Sequence, residues 1–177
     1  MSASDELSGT QIGEGFVGEG VDAAHVNTVL GRRGGPVETA WATALATPSL
    51  GHSRFVAVVR PGLPVQPLTL FVNKAPIEDA ASTHARMTWG PAQAGVAAGV
   101  CKALAQAVID ESQVGQLLLI AAVWVDPGAA DADAVFGNNR EATLRALIIC
   151  AAGEPSTAAV KVAADEGPWN PFFRPRP

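Results

Sequence analysis

Residues 13–31, GEGFVGEGVDAAHVNTVLG, set how the rest of the chain is read. Gly13, Gly15, Gly18 and Gly20 precede His25, which heads an alternating run: Val26, Thr28 and Leu30 against Asn27 and Val29. A period of two is the signature of a strand with one buried face. Glycines ahead of it make residues 11–30 a hairpin whose second arm is 24–30. Two readings of the histidine follow. Glycine backbone can approach a ligand closely, and a histidine beside it exchanges a proton near neutral pH, which suggests a small-molecule site. Alternatively, this is a glycine hairpin followed by a strand whose histidine is structural.

Working outward, GRRGGPVETAWATALAT opens a helix with Gly35 as cap and Pro36 as first residue. Val37, Ala40, Trp41, Ala44 and Leu45 form its apolar face, and Pro48 and Gly51 end it. Residues 54–59 (RFVAVV) and 68–72 (LTLFV) read as antiparallel strands joined by a proline-rich turn. Pro76 falls at the end or edge of the second, since it cannot donate to a ladder. Residues 77–88 are an irregular link. Residues 89–110 form the longest helix, with Val96, Val100, Leu104 and Val108 every four residues. Residues 117–125 (LLLIAAVWV) are continuously apolar, as in a strand covered on both faces. Residues 131–152 form the last helix, stopped by Gly153 and Pro155. The order β-β-α-β-β-α-β-α predicts one α/β (α+β) domain, a mixed sheet with helices mainly on one face. Residues 1–10 read as a flexible N-terminus, 11–155 as the domain and 156–177 as a tail, which either docks on a neighbour or is disordered.

The composition bounds the function. The 177 residues are 48% hydrophobic and only 16% charged, below the roughly 25% charged residues usual for a soluble domain. Part of the surface is therefore expected to be covered by other copies of the chain; a bland Ala, Gly, Ser and Thr surface is the alternative. A net charge of -5 without a Lys/Arg cluster argues against nucleic acid. The nine-residue apolar run at 117–125 is too short to cross a bilayer, and the first residues lack the basic and apolar regions of a leader. A cytoplasmic location and no membrane partner are expected. Cys101 and Cys150 both fall in helices and read as buried thiols, not as a disulfide or metal pair.

Several patterns mislead. Gly13-Glu-Gly-Phe-Val-Gly18 satisfies G-x-G-x-x-G, but no strand precedes it and no helix opens at its last glycine. Asp131 and Asp133 fit the start of a helix better than a calcium loop. No serine sits in a G-x-S-x-G turn, and His52 and His84 read as surface histidines in polar connections. Lys74 stands at a sheet end, Gln93 in a helix first turn and Trp89 just before it. Each could serve a site; each equally suits a solvated lysine, a helix-start polar residue or a packing aromatic.

Taken in order, GEGFVGEGVDAAHVNTVLG, GGPVETAWATAL, FVAVVRPGLPVQPLTLFVNKAPI, WGPAQAGVAAGV, AAVWVDPGAADADAVFGNNREATLRAL and AAGEP resemble the formaldehyde-activating enzyme family from about residue 11 to 155. The resemblance implies condensation of formaldehyde with tetrahydromethanopterin, a co-substrate, giving 5,10-methylenetetrahydromethanopterin and water. It also implies a homopentamer with the fold of the second domain of ribosomal protein S5, the pterin lying between subunits. The family's general-acid histidine matches His25, and its pterin contacts match Asn27, Val56, Lys74, Pro76 and Gln93. The chemistry needs no metal, and the sequence shows no metal-ligand cluster.

Two positions depart from the family pattern. His-Ile-Asp is replaced by His25-Val26-Asn27, which removes a carboxylate from the histidine's face of the strand. Lys-x-Thr is replaced by Lys74-Ala75-Pro76, which removes a hydroxyl and a backbone donor. The chain then reads as a divergent paralogue. It is an active lyase with an altered pocket, a non-catalytic carrier or sensor of a pterin or formaldehyde, or a catalyst for another aldehyde or pterin.

Overall fold

The alternation around His25 forms the second strand of a five-stranded sheet. The computed structural model describes residues 9–47, 49–170 and 173–175. Strands β1 (Gln11–Val17) and β2 (Ala24–Arg32) form the expected antiparallel hairpin, with a short 3-10 turn at Gly20–Asp22 between them. Helix α1 spans Pro36–Ala46, capped at Gly35 as expected. β3 (Arg54–Val56) pairs antiparallel with β6 (Leu68–Asn73), and the chain between them makes a two-stranded ribbon of β4 (Val58–Arg60) and β5 (Leu63–Pro64). The single strand expected over 54–59 is thus broken at Ala57, whose N–H donates to Thr69 O while its carbonyl accepts from Val65 N.

After β6 come α2 (Thr83–Met87), a wide π turn at Thr88–Ala92 and α3 (Gln93–Ala105). Residues 77–88 are therefore not an irregular link throughout. Ser82 caps α2 by accepting from Ala85 N, and the wide turn accommodates Pro91, which has no N–H to give. The expected helix over 89–110 also stops early, because Ala107 takes a left-handed conformation at φ 55°. β7 is Leu117–Trp124, and α4 is Ala132–Ala152, capped by Asp131 and longer than α3. It is not the last helix: α5 (Thr157–Asp165) follows in the tail, capped by Ser156 and burying none of its residues. Its apolar residues, Val160 and Val162 among them, stay exposed, so no packing against the domain accompanies this helix. The expectations for residues 1–8, for Pro48 and, within the 156–177 tail, for residues 171, 172, 176 and 177 lie outside the described residues.

The sheet order is β1-β2-β7-β6-β3, with β6 and β7 parallel and the other pairs antiparallel. Its two faces differ. Helices α3 and α4 cover the face carrying Val26, Leu30, Phe71, Leu119, Ala121 and Val123, all buried. Gly13 and Gly15 of β1 make this packing possible: a Cβ on either would stand 1.9 Å or 2.1 Å from the backbone oxygens of Ala146 or Ala142 in α4. The other face is covered at one end by α1, where a Cβ on Gly31 would meet Val37 Cγ2 at 2.4 Å. Elsewhere it is open: Ile12 is 67% exposed, and Val29, Ile120, Ala122 and Trp124 are half-buried. β7 is therefore not covered on both faces by this chain. The apolar face expected of α1 is likewise largely bare, with Val37 buried and Leu45 exposed.

Candidate active site

The register of the sheet assembles the site. His25 lies opposite Phe16 of β1 and Trp124 of β7, and Asn27 lies opposite Glu14 and Ala122. Directly paired residues share a face, so His25, Asn27, Glu14, Phe16 and Trp124 all stand on the open side of the sheet. Val72 pairs with Ala122, which continues the Asn27 row across β6. Lys74, one residue past β6, donates its N–H to Val123 O at 2.8 Å, and its exposed side chain extends the His25–Trp124 row. Val56 reaches the same face through Leu70, Ile120 and Val29.

The imidazole of His25 is held on two sides. Its ring lies 5.7 Å from the Phe16 ring, tilted by 45°. Its Nε2 is 3.2 Å from Glu14 Oε1, with the two side chains 31% and 56% exposed. An ion pair this exposed adds at most about 1 kcal/mol of stability. Its consequence is orientation: one ring nitrogen is tied to β1, and the ring is steered over the open face. Sequence reasoning passed over Glu14. The signal was the hairpin register, which puts Glu14 opposite Asn27 and diagonal to His25.

Other expected site residues are not gathered around His25. Gln93, the first residue of α3, is 9% exposed and donates Nε2–H to Val58 O at 3.0 Å, tying the helix layer to β4 on the far side of the sheet. Pro76 is exposed and packs beside Gly51. Within one chain, then, His25, Asn27, Lys74 and Val56 share a face, while Gln93 and Pro76 serve other surroundings. The nearby glycines have a plainer reason than ligand approach: Gly13 and Gly15 admit α4.

The remaining polar candidates are structural. His84, expected at the surface, is 8% exposed, with Nε2 3.1 Å from Val125 O, so it links α2 to the end of β7. His52 is half-buried, with Nδ1 3.1 Å from Asn73 O. Trp89 donates to Ser53 Oγ at 3.1 Å. Cys101 and Cys150 are free thiols on α3 and α4, the first half-buried and the second buried; burial raises both, Cys150 to about 11. Among the described residues, no three His, Cys, Asp or Glu side chains are grouped as metal ligands would be, and no helix is long and apolar enough to cross a membrane.

The chain resembles known proteins over most of its length. The family model described as Formaldehyde-activating enzyme (Fae) matches residues 12–170. A 5,6,7,8-tetrahydromethanopterin hydro-lyase of Methanosarcina barkeri is 36% identical over 92% of this chain and 90% of its own length. Bifunctional enzymes Fae/Hps of Methanosarcina barkeri and Methanosphaera stadtmanae are 36% and 33% identical over 85% and 92% of this chain. Of those two longer proteins the match spans only 38% and 42%.

Proposed function

This chain belongs to the formaldehyde-activating enzyme family, and on that premise we propose that it condenses formaldehyde with tetrahydromethanopterin, with His25 as general acid. The products are 5,10-methylenetetrahydromethanopterin and water, and the chain is a lyase of the hydro-lyase class, as its relative's name states for that protein. One amine of the pterin adds to the carbonyl carbon, giving a carbinolamine. Its hydroxide is a poor leaving group. Protonated His25 gives its proton to that oxygen, the C–O bond breaks, and water departs. The second amine then attacks the iminium carbon and loses its proton, closing the bridge. General acid assistance of this kind is worth about 10²–10⁴-fold, and holding formaldehyde beside the amine adds an entropic gain.

The observation that carries this reading is the placement of His25: half-exposed on an open sheet face, and steered by Glu14 and Phe16. Asn27, Val56 and Lys74 hold the pterin from the same face. Gln93 and Pro76 reach it from a neighbouring copy in a cytoplasmic homopentamer whose clefts form the complete site. The bare apolar side chains of Ile12, Leu45 and Leu50, the last 99% exposed, supply surface for that assembly. The test is the rate of methylene-pterin formation above the spontaneous reaction, for wild type and His25→Ala. Acceleration by wild type that disappears in the variant supports the reading; no acceleration by wild type overturns it.

Asn27 and Pro76 favour a second reading, a carrier or sensor that binds a pterin or formaldehyde without turnover. Calorimetric titration with tetrahydromethanopterin separates the two: tight binding without acceleration selects the carrier.

A further inference from the structure

We propose that the C-terminal tail completes a second subsite beside His25, which takes the arylamine arm of the reduced pterin. This inference rests on the function proposed above. A cavity of about 470 Å³ lies at the turn end of the β1–β2 hairpin, within the roughly 300–1,000 Å³ usual for small-molecule sites. Phe16, Gly18, Gly20 and Val21 of the hairpin line it together with Trp169 and Arg174 of the tail. Phe16 is also the ring against which His25 rests, so the cavity and the acid share one side chain.

The direction of the chain orients the ligand. Asn27 lies two residues beyond His25 along β2, and the cavity lies before His25, past the turn. A 5,10-methylene bridge joins a nitrogen of the pterin ring to the nitrogen of the arylamine arm, so the reacting carbon sits between two ring systems. With His25 at that carbon and the pterin ring toward Asn27 and Lys74, the arm runs the other way, past Phe16. There it meets two aromatic walls suited to stacking a flat ring. Arg174, its guanidinium 4.5 Å from the Trp169 ring centroid, keeps that indole in place by a cation–π contact and brings a positive charge to the cavity mouth. Glu19 and Asp126 leave carboxylate oxygens for hydroxyl or N–H groups of the arm.

The test is calorimetric titration of the full chain with tetrahydromethanopterin, repeated with Trp169→Ala, Trp169→Phe and a chain ending at Glu166. Trp169 is 59% exposed, so its replacement leaves the core untouched. The expected result is a Kd about tenfold weaker for Trp169→Ala and for the shortened chain, with Trp169→Phe close to wild type. In turnover the same loss appears in the KM for the pterin, with kcat and the KM for formaldehyde unchanged. Binding equally tight in wild type, Trp169→Ala and the shortened chain overturns this inference alone. Absence of binding to wild type removes the proposed function with it.

Discussion

Glu14 Oε1 stands 3.2 Å from His25 Nε2, across a hairpin whose register places Glu14 opposite Asn27. Asn27, two residues after the histidine on the same face, carries no charge, and the carboxylate that reaches the ring comes from the neighbouring strand. A carboxylate accepting from a protonated imidazole makes a charge-assisted bond, an amide only a neutral one. Glu14→Gln should therefore lower kcat by about tenfold with little effect on stability. His25→Ala should lower it by about 10²–10⁴-fold. Steady-state assays of both check the order; equal activity of Glu14→Gln and wild type removes Glu14 from the site.

Asn27 and Pro76 stand where the resemblance implies an aspartate and a threonine, and placing those residues there tests what the two positions do. Asn27→Asp supplies a charged acceptor on the open face, and hydrogen bonds to charged groups are worth about 1.5–3 kcal/mol. The Kd for tetrahydromethanopterin should tighten by about tenfold in Asn27→Asp, and further with Pro76→Thr. An unchanged or weaker Kd would mean the pocket is adapted to another ligand.

Gly15 permits contact between β1 and α4. A Cβ there would lie 2.1 Å from Ala142 O and 2.9 Å from Ala142 C, both backbone atoms that cannot swing aside. Gly15→Ala should cost at least about 1–3 kcal/mol. Gly137 of α4 has nothing near its missing Cβ, and Gly137→Ala should stabilise by about 0.5–1 kcal/mol. Denaturant midpoints of the two variants should move in opposite directions.

Cys150 lies inside the core cluster with Leu30, Leu147 and Leu144. Burial raises its thiol from 9.0 to about 11. A group whose folded value is raised contributes stability that is complete below pH 9 and is lost as pH rises toward 11, because the unfolded chain releases that proton first. Unfolding midpoints should fall across that window, and the fall should be shallower in Cys150→Ala. Near neutral pH, alkylation of Cys150 should require unfolding.

The open sheet face and the bare side of α1 predict assembly. Light scattering should give a mass several times the 18.1 kDa of one chain. Leu45→Glu with Leu50→Ser should reduce that mass while leaving the far-ultraviolet dichroism intact, since both side chains are exposed in the single chain. A monomeric wild type would refute the intersubunit cleft.

By itself the sequence determined the parts of this protein that repeat with a period. Strict alternation from Ala24 to Leu30 announced β2, proline after glycine announced α1, and a long run ending at Gly153 announced α4. It also carried the family likeness, because motif order and spacing survive where individual residues change. Tertiary structure decided which residues meet. The glycines of β1 look the same in sequence whether they serve a ligand or a helix, and only the position of Ala142 and Ala146 distinguishes the two. His25 heads an apolar-alternating run and His84 stands in a polar connection, yet the first faces an open sheet surface and the second is sealed against Val125. Side-chain environment is set by register and by layers that close from distant parts of the chain, and a linear sequence does not carry those distances.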